Sequence, residues 1–562
     1  MPNVVFHPRK VALDVESGVT ILDAARRAGL EIESPCNGLG TCKKCRVKID
    51  QPHSVHHRNG EGAFEVIDEV LACTTEVGHS DLLVTVPEQV RGRDRVLISG
   101  HRVARPINPW VRREWHADEA ISRIFYGDEL LWEEPGMVPV LGLAVDIGTT
   151  TLVVSLLDLQ EGRELGTVGA LNPQARLGHD VLTRIQLASD EAGLTQLHEL
   201  LISELRRMTE EVTRRAGLDA SGVREIVLSG NTTMLHLAAK VNPKSLGRYP
   251  YTPVIRGDVA LAASDLGLLG APHARVYLPP VLDGFVGADI TAGVLSTGLK
   301  DLSGVTLFID IGTNGEMVLA RDGRLIGTST AAGPAFEGMN ITCGMRGMVG
   351  AIEKVRISLE GIEIKTIGGV KALGICGSGL VDAVSEMVRN GIVSSSGRFA
   401  LPSALPKALS ERLVRYEGKP AISLFCSDVE GEPGIVLTQQ DVRQVQLAKG
   451  AVRAGIEALL AHEGLTPAMV DRVLLAGSFG AHLQPTSLVG IGLLPEVLGE
   501  RVTAVGNTSR TGAEALLLDR EARTELAATI QGATAIDLAH APSFEKTFVN
   551  ALAFPNQEQA AA

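Results

Sequence analysis

Leu143-Ala-Val-Asp146-Ile-Gly148-Thr149-Thr150-Thr-Leu-Val-Val-Ser reads as an apolar strand, a tight glycine turn and a second strand. The same design returns at Leu307-Phe-Ile-Asp310-Ile-Gly312-Thr313-Asn314-Gly315-Glu316-Met-Val-Leu. One Asp-x-Gly-Thr turn is ordinary hairpin chemistry, but two copies, each after an apolar strand, imply two lobes of related design facing each other. In such a turn glycine bares backbone N–H groups to phosphate oxygens, threonine hydroxyls add donors, and the strand-end aspartate holds Mg2+ through water. Glu316 is a candidate general base, with a plain acid on the hairpin surface as the competing reading.

A third element lies further along. Val473-Leu-Leu-Ala-Gly477-Ser478-Phe-Gly480-Ala-His is a strand running into a glycine turn, placed to pack a nucleotide base. It follows a helix expected from about Asp441 to Ala461. The stripe of Val442, Val445, Val452 and Ile456 on that helix reads as core.

The N-terminal part carries a different signal. Cys36-Asn-Gly-Leu-Gly-Thr-Cys42-Lys-Lys-Cys45 is answered by a lone Cys73, so four of the chain's seven cysteines fall in one short region and chance clustering is excluded. Two tetrahedral irons need four thiolates converging from a tight loop and one returning segment. Gly38 and Gly40 let the backbone curl around such a site. A structural zinc also takes four cysteines, usually as two close pairs, and disulfides need an oxidising compartment that nothing else suggests. The C-x5-C-x2-C spacing resembles adrenodoxin-type 2Fe-2S ferredoxins. Strands near 4–6 and 10–15, a helix capped by Thr20 with Asp23 and ended by Gly29, and strands at 47–49, 70–72 and 82–86 give the order of a β-grasp sheet. His53, His56 and His57 read as a solvated loop. Cys343, Cys376 and Cys426 read as isolated thiols.

At 562 residues the chain has room for three or four domains. With 45% hydrophobic residues and a net charge of −13 it is a globular protein without an electrostatic case for nucleic acid. No apolar run reaches the length of a membrane span, and residues 1–10 lack the core of a signal peptide, so the cytoplasm is expected and no membrane partner. Residues 88–138 change composition: Trp110, Trp115 and Trp132 are the only tryptophans of the chain. Residues 91–113 hold seven arginines against one acid, and residues 114–134 seven acids against one arginine. Aromatic anchors and split charge suit a linker that docks on a neighbouring domain or subunit.

The two D-I-G-T turns and the A-G-S-F-G turn resemble the phosphate-1, phosphate-2 and adenosine motifs of the acetate and sugar kinase, Hsp70 and actin superfamily. The helix opened by Gly374-Ile-Cys376-Gly377-Ser378-Gly379 resembles one of its connecting helices. Joined to an N-terminal ferredoxin, the set is similar to the reductive activators of corrinoid-dependent enzymes, which return Co(II) corrinoid to Co(I) with ATP. Asn172-Pro-Gln with Gly178-His-Asp180, Ser229-Gly-Asn231-Thr232-Thr233-Met, Ala332-Gly-Pro-Ala-Phe-Glu337-Gly and Gly506-Asn-Thr-Ser-Arg-Thr-Gly-Ala fit the same family.

The resemblance implies an α/β multidomain chain: a β-grasp 2Fe-2S ferredoxin domain at 1–87, a linker at 88–138, and a two-lobed actin-like/Hsp70-like ATPase with lobe I at 139–300 and lobe II at 301–555. A disordered tail is expected at 556–562. Cys36, Cys42, Cys45 and Cys73 would bind the cluster. Asp146 and Asp310 would position Mg2+ or the attacking water, Gly148, Thr149, Thr150, Gly312, Thr313 and Asn314 would cradle the ATP phosphates, and Gly477, Ser478 and Gly480 would border adenosine. The implied partners are a corrinoid protein of a methyltransferase system and a low-potential donor (flavodoxin, ferredoxin or reductase), with a homodimer as the assembly. A plant-type cluster sits near −400 mV, and each 100 mV uphill costs one electron about 2.3 kcal/mol, so lobe closure on nucleotide is the expected coupling device. The small-residue segment 328–337 is expected as a loop facing the corrinoid, with Ser329 near cobalt; an interlobe loop without partner contact is the competing reading. A pure electron-transfer or scaffold module with a degenerate nucleotide site remains open, and so do two other functions. One is a small-molecule kinase with a redox-sensing ferredoxin domain. The other is an activator of radical dehydratases, although that design puts its cluster cysteines in the ATPase itself.

Overall fold

The computed structural model describes residues 1–8, 10–28, 30, 32, 45–50, 55–57, 69–86, 99–268, 274–426, 434–480, 482–541 and 544–556. Cys36, Cys42, Gly29, Gly38, Gly40, His53 and nearly all of the expected tail lie outside these residues.

The N-terminal part is a five-stranded mixed sheet in the order Val11–Asp14, Asn3–His7, Leu82–Thr85, Arg46–Ile49, Glu69–Leu71. Asn3–His7 and Leu82–Thr85 run parallel and the other pairs antiparallel. The helix Ile21–Arg27 starts where expected: the Thr20 hydroxyl accepts from the Asp23 amide, leaving Ile21, Leu22, Ala24 and Ala25 to face the sheet. His56 and His57 belong to a short strand, Val55–His57, paired with Thr75–Val77, instead of a loop.

Each D-I-G-T turn joins the first two strands of a six-stranded sheet, and the two sheets share five strands of one topology, with the sixth added at opposite edges. In lobe I the order is Arg163–Leu171, Thr151–Asp158, Leu141–Ile147, Val223–Gly230, Arg275–Leu278, Val259–Ala262. In lobe II it is Thr534–Ala535, Arg324–Thr330, Gly315–Arg321, Val305–Ile311, Arg472–Ala476, Val502–Gly506. In both, an antiparallel meander ends on the strand carrying the aspartate, and two strands parallel to it follow. A long helix makes the crossover in each lobe, Glu191–Arg215 in the first and Gln439–His462 in the second. Leu194, Leu197, Leu201, Leu205, Met208 and Val212 recur every three or four residues and are buried, so the first helix presents one apolar face to its sheet. The second opens with a reciprocal capping box between Thr438 and Asp441, two residues before the expected start.

Two helices are exchanged between the sheets. Ile290 and Val294 of Ala288–Thr297 pack with Phe308 and Val318 of lobe II, whereas Leu516 and Leu517 of Thr508–Leu518 pack with Ala144 and Leu157 of lobe I. The two helices approach so closely that a Cβ on Gly512 would strike the Ala292 backbone. The sequence division at 300/301 therefore differs from the division of packing, and the lobes interlock at this helix pair.

Within the expected linker, Val111–His116, Ile121–Tyr126 and Glu129–Pro135 form a three-stranded antiparallel sheet. Trp110 stacks on Tyr126 at 5.3 Å, Val111 and Ile124 enter the core shared with Leu516 and Leu517, and Arg224 lies over Trp132 while pairing with Glu134 at 2.9 Å. Arg105 reaches Glu525 at 2.9 Å. The segment is thus fixed to the ATPase by half-buried aromatics and ion pairs as well as by buried Val111 and Ile124. No helix among the described residues is long and apolar enough to cross a membrane.

Candidate nucleotide cleft and cluster site

The cleft between the lobes is a cavity of about 250 Å³ whose wall includes Asp146, Gly148, Thr149, Thr150, Asp310, Gly312, Thr313, Asn314, Glu316 and Gly477. Ten residues singled out in three distant stretches of sequence therefore meet at one place. The register explains it: Asp146 and Asp310 end equivalent strands of two sheets that face each other, and Ala476, just before the glycine turn, is aligned with Asp310 on the neighbouring parallel strand. Gly477 has φ +91°, and a Cβ there would collide with Oδ1 of Asp310, so only glycine lets this turn lie against the strand end that carries Asp310. Gly480 is not on the cavity wall. It packs against Leu475, a structural contact, and the side chain of Ser478 lies outside the described atoms.

The two aspartates are not equivalent. Asp146 accepts from Asn507 Nδ2 at 2.8 Å and from Ser509 Oγ at 2.7 Å, which oppose the upward push that burial gives its pKa. For Asp310 burial, then the charges of Asp289 and Asp146, raise the pKa to about 8 with no opposing hydrogen bond. Asp289, in the first turn of Ala288–Thr297, is raised to about 7, mainly by burial. Glu316 is pushed well above the usual carboxylate range by burial and by Asp289 and Asp310. At 8% exposure it is not a surface acid of the hairpin. Four carboxylates that repel one another in a desolvated cleft are a site that gains from a cation. Among the described residues no group of three or more His, Cys, Asp or Glu side chains is arranged to ligate a metal directly, so Mg2+ would be held there through its water shell.

Arg184 completes the charge balance. It is wholly buried and donates to Thr149 O at 2.6 Å, Gln174 Oε1 at 3.0 Å and Gly178 O at 2.8 Å. Burial lowers its pKa to about 9. A guanidinium directly behind the first D-I-G-T turn, satisfied only by neutral acceptors, favours an anion in front of that turn. His179 is held neutral, its pKa lowered to about 4 by burial and by the charges of Arg26, Arg184 and Arg346. Asn231 Nδ2 donates to Thr149 Oγ1 at 3.1 Å.

Sequence reasoning placed Asn231, Gln174 and Asn507 in family stretches without roles, and it missed Asp289, Arg184 and the function of Glu337. The carboxylate of Glu337 accepts from Thr150 Oγ1 at 2.7 Å on one side and from the Thr313 hydroxyl on the other. Asp289 has a local signal, an acid in the first turn of an apolar helix, but its partners are brought to it only by the fold. Ser329 lies on the strand Arg324–Thr330, opposite Glu316, and its hydroxyl donates to Glu316 Oε1 at 3.5 Å. Residues 328–330 are thus strand, not loop, and the turn that follows, Pro334–Glu337, is tied between the lobes through Glu337.

In the N-terminal sheet Cys45 and Cys73 are both buried, at 0% and 3% exposure. The Ala72 amide donates to Cys45 O at 2.8 Å, so the two cysteine-bearing segments run side by side. Two buried thiols brought together from the end of the cysteine loop and from the returning segment fit a 2Fe-2S cluster. Cys343, Cys376 and Cys426 belong to lobe II, away from this sheet: Cys343 packs against its core, buried Cys376 lies on the wall of the cleft, and Cys426 is exposed.

Residues 4–78 match the 2Fe-2S iron-sulfur cluster binding domain, residues 141–302 the RACo middle region, and residues 304–562 the C-terminal domain of RACo, the ASKHA domain. The corrinoid activation enzyme RamQ of Eubacterium limosum is 30% identical over 596 aligned residues, covering 97% of this chain and 98% of the relative. A reductase of the Co(II) methylated amine-specific corrinoid protein from Methanosarcina barkeri is 27% identical, covering 73% of this chain and 75% of its own length. A solved structure of a reductive activator for corrinoid, iron-sulfur protein is similar with a TM-score of 0.73 at 31% identity, over 99% of both chains.

Proposed function

The chain belongs to the RACo family of reductive activators, and on that premise we propose that it is an ATP-dependent enzyme delivering one low-potential electron to the Co(II) corrinoid of a methyltransferase partner, restoring Co(I). The observation that carries the reading is the joining, in one chain, of buried Cys45 and Cys73 with a two-lobed cleft walled by both D-I-G-T turns. Cys36, Cys42, Cys45 and Cys73 would hold the 2Fe-2S cluster, which when bound supplies one-electron transfer.

The remaining residues act on the nucleotide. The hydroxyls of Thr149, Thr150 and Thr313 donate to phosphate oxygens, while Gly148 and Gly312 shape the two turns, their amides donating to Thr151 O and, in the second turn, to the carbonyl of Asn314. Asp146, oriented by Asn507 and Ser509, would hold Mg2+ through its water shell, and the ion would neutralise phosphate charge there. Asp310, its pKa raised by burial and by Asp289 and Asp146, is placed to take the proton of the attacking water once a cation favours its charged form, with Glu316, pushed up by burial, Asp289 and Asp310, facing it across the strand pair. Binding across the cleft draws the lobes together about the interlocked helix pair and changes the surface offered to the corrinoid protein. A cytoplasmic homodimer served by a flavodoxin, ferredoxin or reductase completes the proposal.

The test mixes purified holoprotein, a low-potential reductant, Mg-ATP and candidate Co(II) corrinoid proteins and follows the Co(I) absorbance. ATP-dependent Co(I) formation is expected with the cognate partner. No signal with that partner, or an equal signal without ATP, overturns the reading.

A further inference from the structure

Glu337 ties the two lobes together at the place where the phosphates are expected. One carboxylate oxygen accepts from Thr150 of the lobe I turn and the other from Thr313 of the lobe II turn. A threonine hydroxyl has a single proton to donate. Neither hydroxyl can therefore serve a phosphate oxygen while it serves Glu337. A phosphate brought to the same donors would also stand against the carboxylate in a cleft that already holds Asp146, Asp289, Asp310 and Glu316.

The backbone around Glu337 allows one mode of release. The turn Pro334–Glu337 is bounded by Gly333 at φ +77° and Gly338 at φ +76°, and a Cβ on Gly338 would collide with the Met345 backbone. Phe336, fully buried in the lobe II core, pins the turn. The Glu337 side chain alone is left to swing.

From this geometry we infer that Glu337 occupies the position of the nucleotide's terminal phosphate and is the residue by which the cleft distinguishes a nucleoside triphosphate from a diphosphate. The inference rests on the nucleotide reading above. A diphosphate leaves the Thr150–Glu337–Thr313 bridge intact. A triphosphate must break it, and its terminal phosphate then joins the two turns in place of the carboxylate. Hydrolysis and loss of phosphate let Glu337 return. No covalent step is involved; what alternates is which anion receives the two hydroxyl protons.

The test measures, by titration calorimetry on the full-length holoprotein, the affinity for ADP and for an unhydrolysable ATP analogue with Mg2+. Glu337→Gln keeps the side chain's size but removes its charge and leaves one acceptor oxygen, so at least one hydroxyl is released. It should bind the ATP analogue about tenfold tighter than the wild type, the scale of one charge-assisted hydrogen bond, with ADP affinity unchanged within about twofold. Glu337→Asp, too short to span both turns, should shift the same ratio in the same direction and serves if the first variant fails to fold. An unmoved ratio, or weaker binding of the ATP analogue, overturns the inference; the latter outcome would make Glu337 a ligand of the nucleotide site instead of its competitor. Failure of the wild type to bind either nucleotide would overturn the ATP reading itself, so the two failures are distinguishable.

Discussion

Replacing Asp310 by Asn tests the electrostatics of the cleft most directly. In the unfolded chain this carboxyl ionises near the ordinary value of 3.8, whereas in the fold burial and the neighbouring Asp289 and Asp146 raise it to about 8. The folded pKa is the higher one, so the stability associated with the proton is fully present below about pH 4 and is lost progressively as pH rises through about 8. At about 1.36 kcal/mol per unit, a displacement of roughly four units sets a ceiling of about 5–6 kcal/mol. The cleft is open to water, which screens the group, so about 2–3 kcal/mol is expected in the measured stability. Asp310→Asn removes the ionisable proton at constant shape and should be more stable than the wild type at pH 8.5 with Mg2+ chelated and no nucleotide. For a lobe of this size about 2–4 °C accompanies each kcal/mol, giving a rise of about 4–12 °C by calorimetry. At pH 5.5 less than half of the gain should remain, because Asp310 is then protonated in the fold. Saturating Mg-ATP should reverse the order, since binding stabilises the wild type and not the variant. A gain equal at both pH values, or a variant less stable at pH 8.5, would refute the argument that desolvated charge repulsion governs this site.

Other outcomes follow from single contacts. Gly477→Ala combines a positive φ with a collision against Asp310 and should cost about 1–3 kcal/mol of lobe II stability and abolish nucleotide binding, read by calorimetry and titration. Cys45→Ser or Cys73→Ser should eliminate the 2Fe-2S visible absorbance while nucleotide binding persists; an intact absorbance would exclude these thiols as ligands. Ser329→Ala should slow Co(II) reduction if that hydroxyl leaves Glu316 to approach the corrinoid, and an unchanged rate removes the idea.

Much of the fold was legible because it is encoded locally. The apolar runs before Asp146 and Asp310, the glycines that turn them, the Thr20 cap and the alternation of the N-terminal strands are short-range signals, and each falls where the chain's physics requires. The duplication was also visible, since two equal motifs need two equal frameworks. The linker was legible as a docking segment from its tryptophans and split charge, but its three strands were not, because Pro, Trp and mixed charge mask their alternation.

By itself the sequence determined which chemistries the chain carries: thiols spaced for iron and sulfur, and paired glycine turns for phosphate. Only the tertiary structure decided how the groups behave. Asp146 and Asp310 are the same residue in the same motif, yet donors from Asn507 and Ser509 steady one while desolvation and like charge raise the other. Glu337 had no assigned role until the lobes placed Thr150 and Thr313 on its two oxygens. Such differences arise from burial and from partners far apart along the chain, and neither is written in a local stretch of residues.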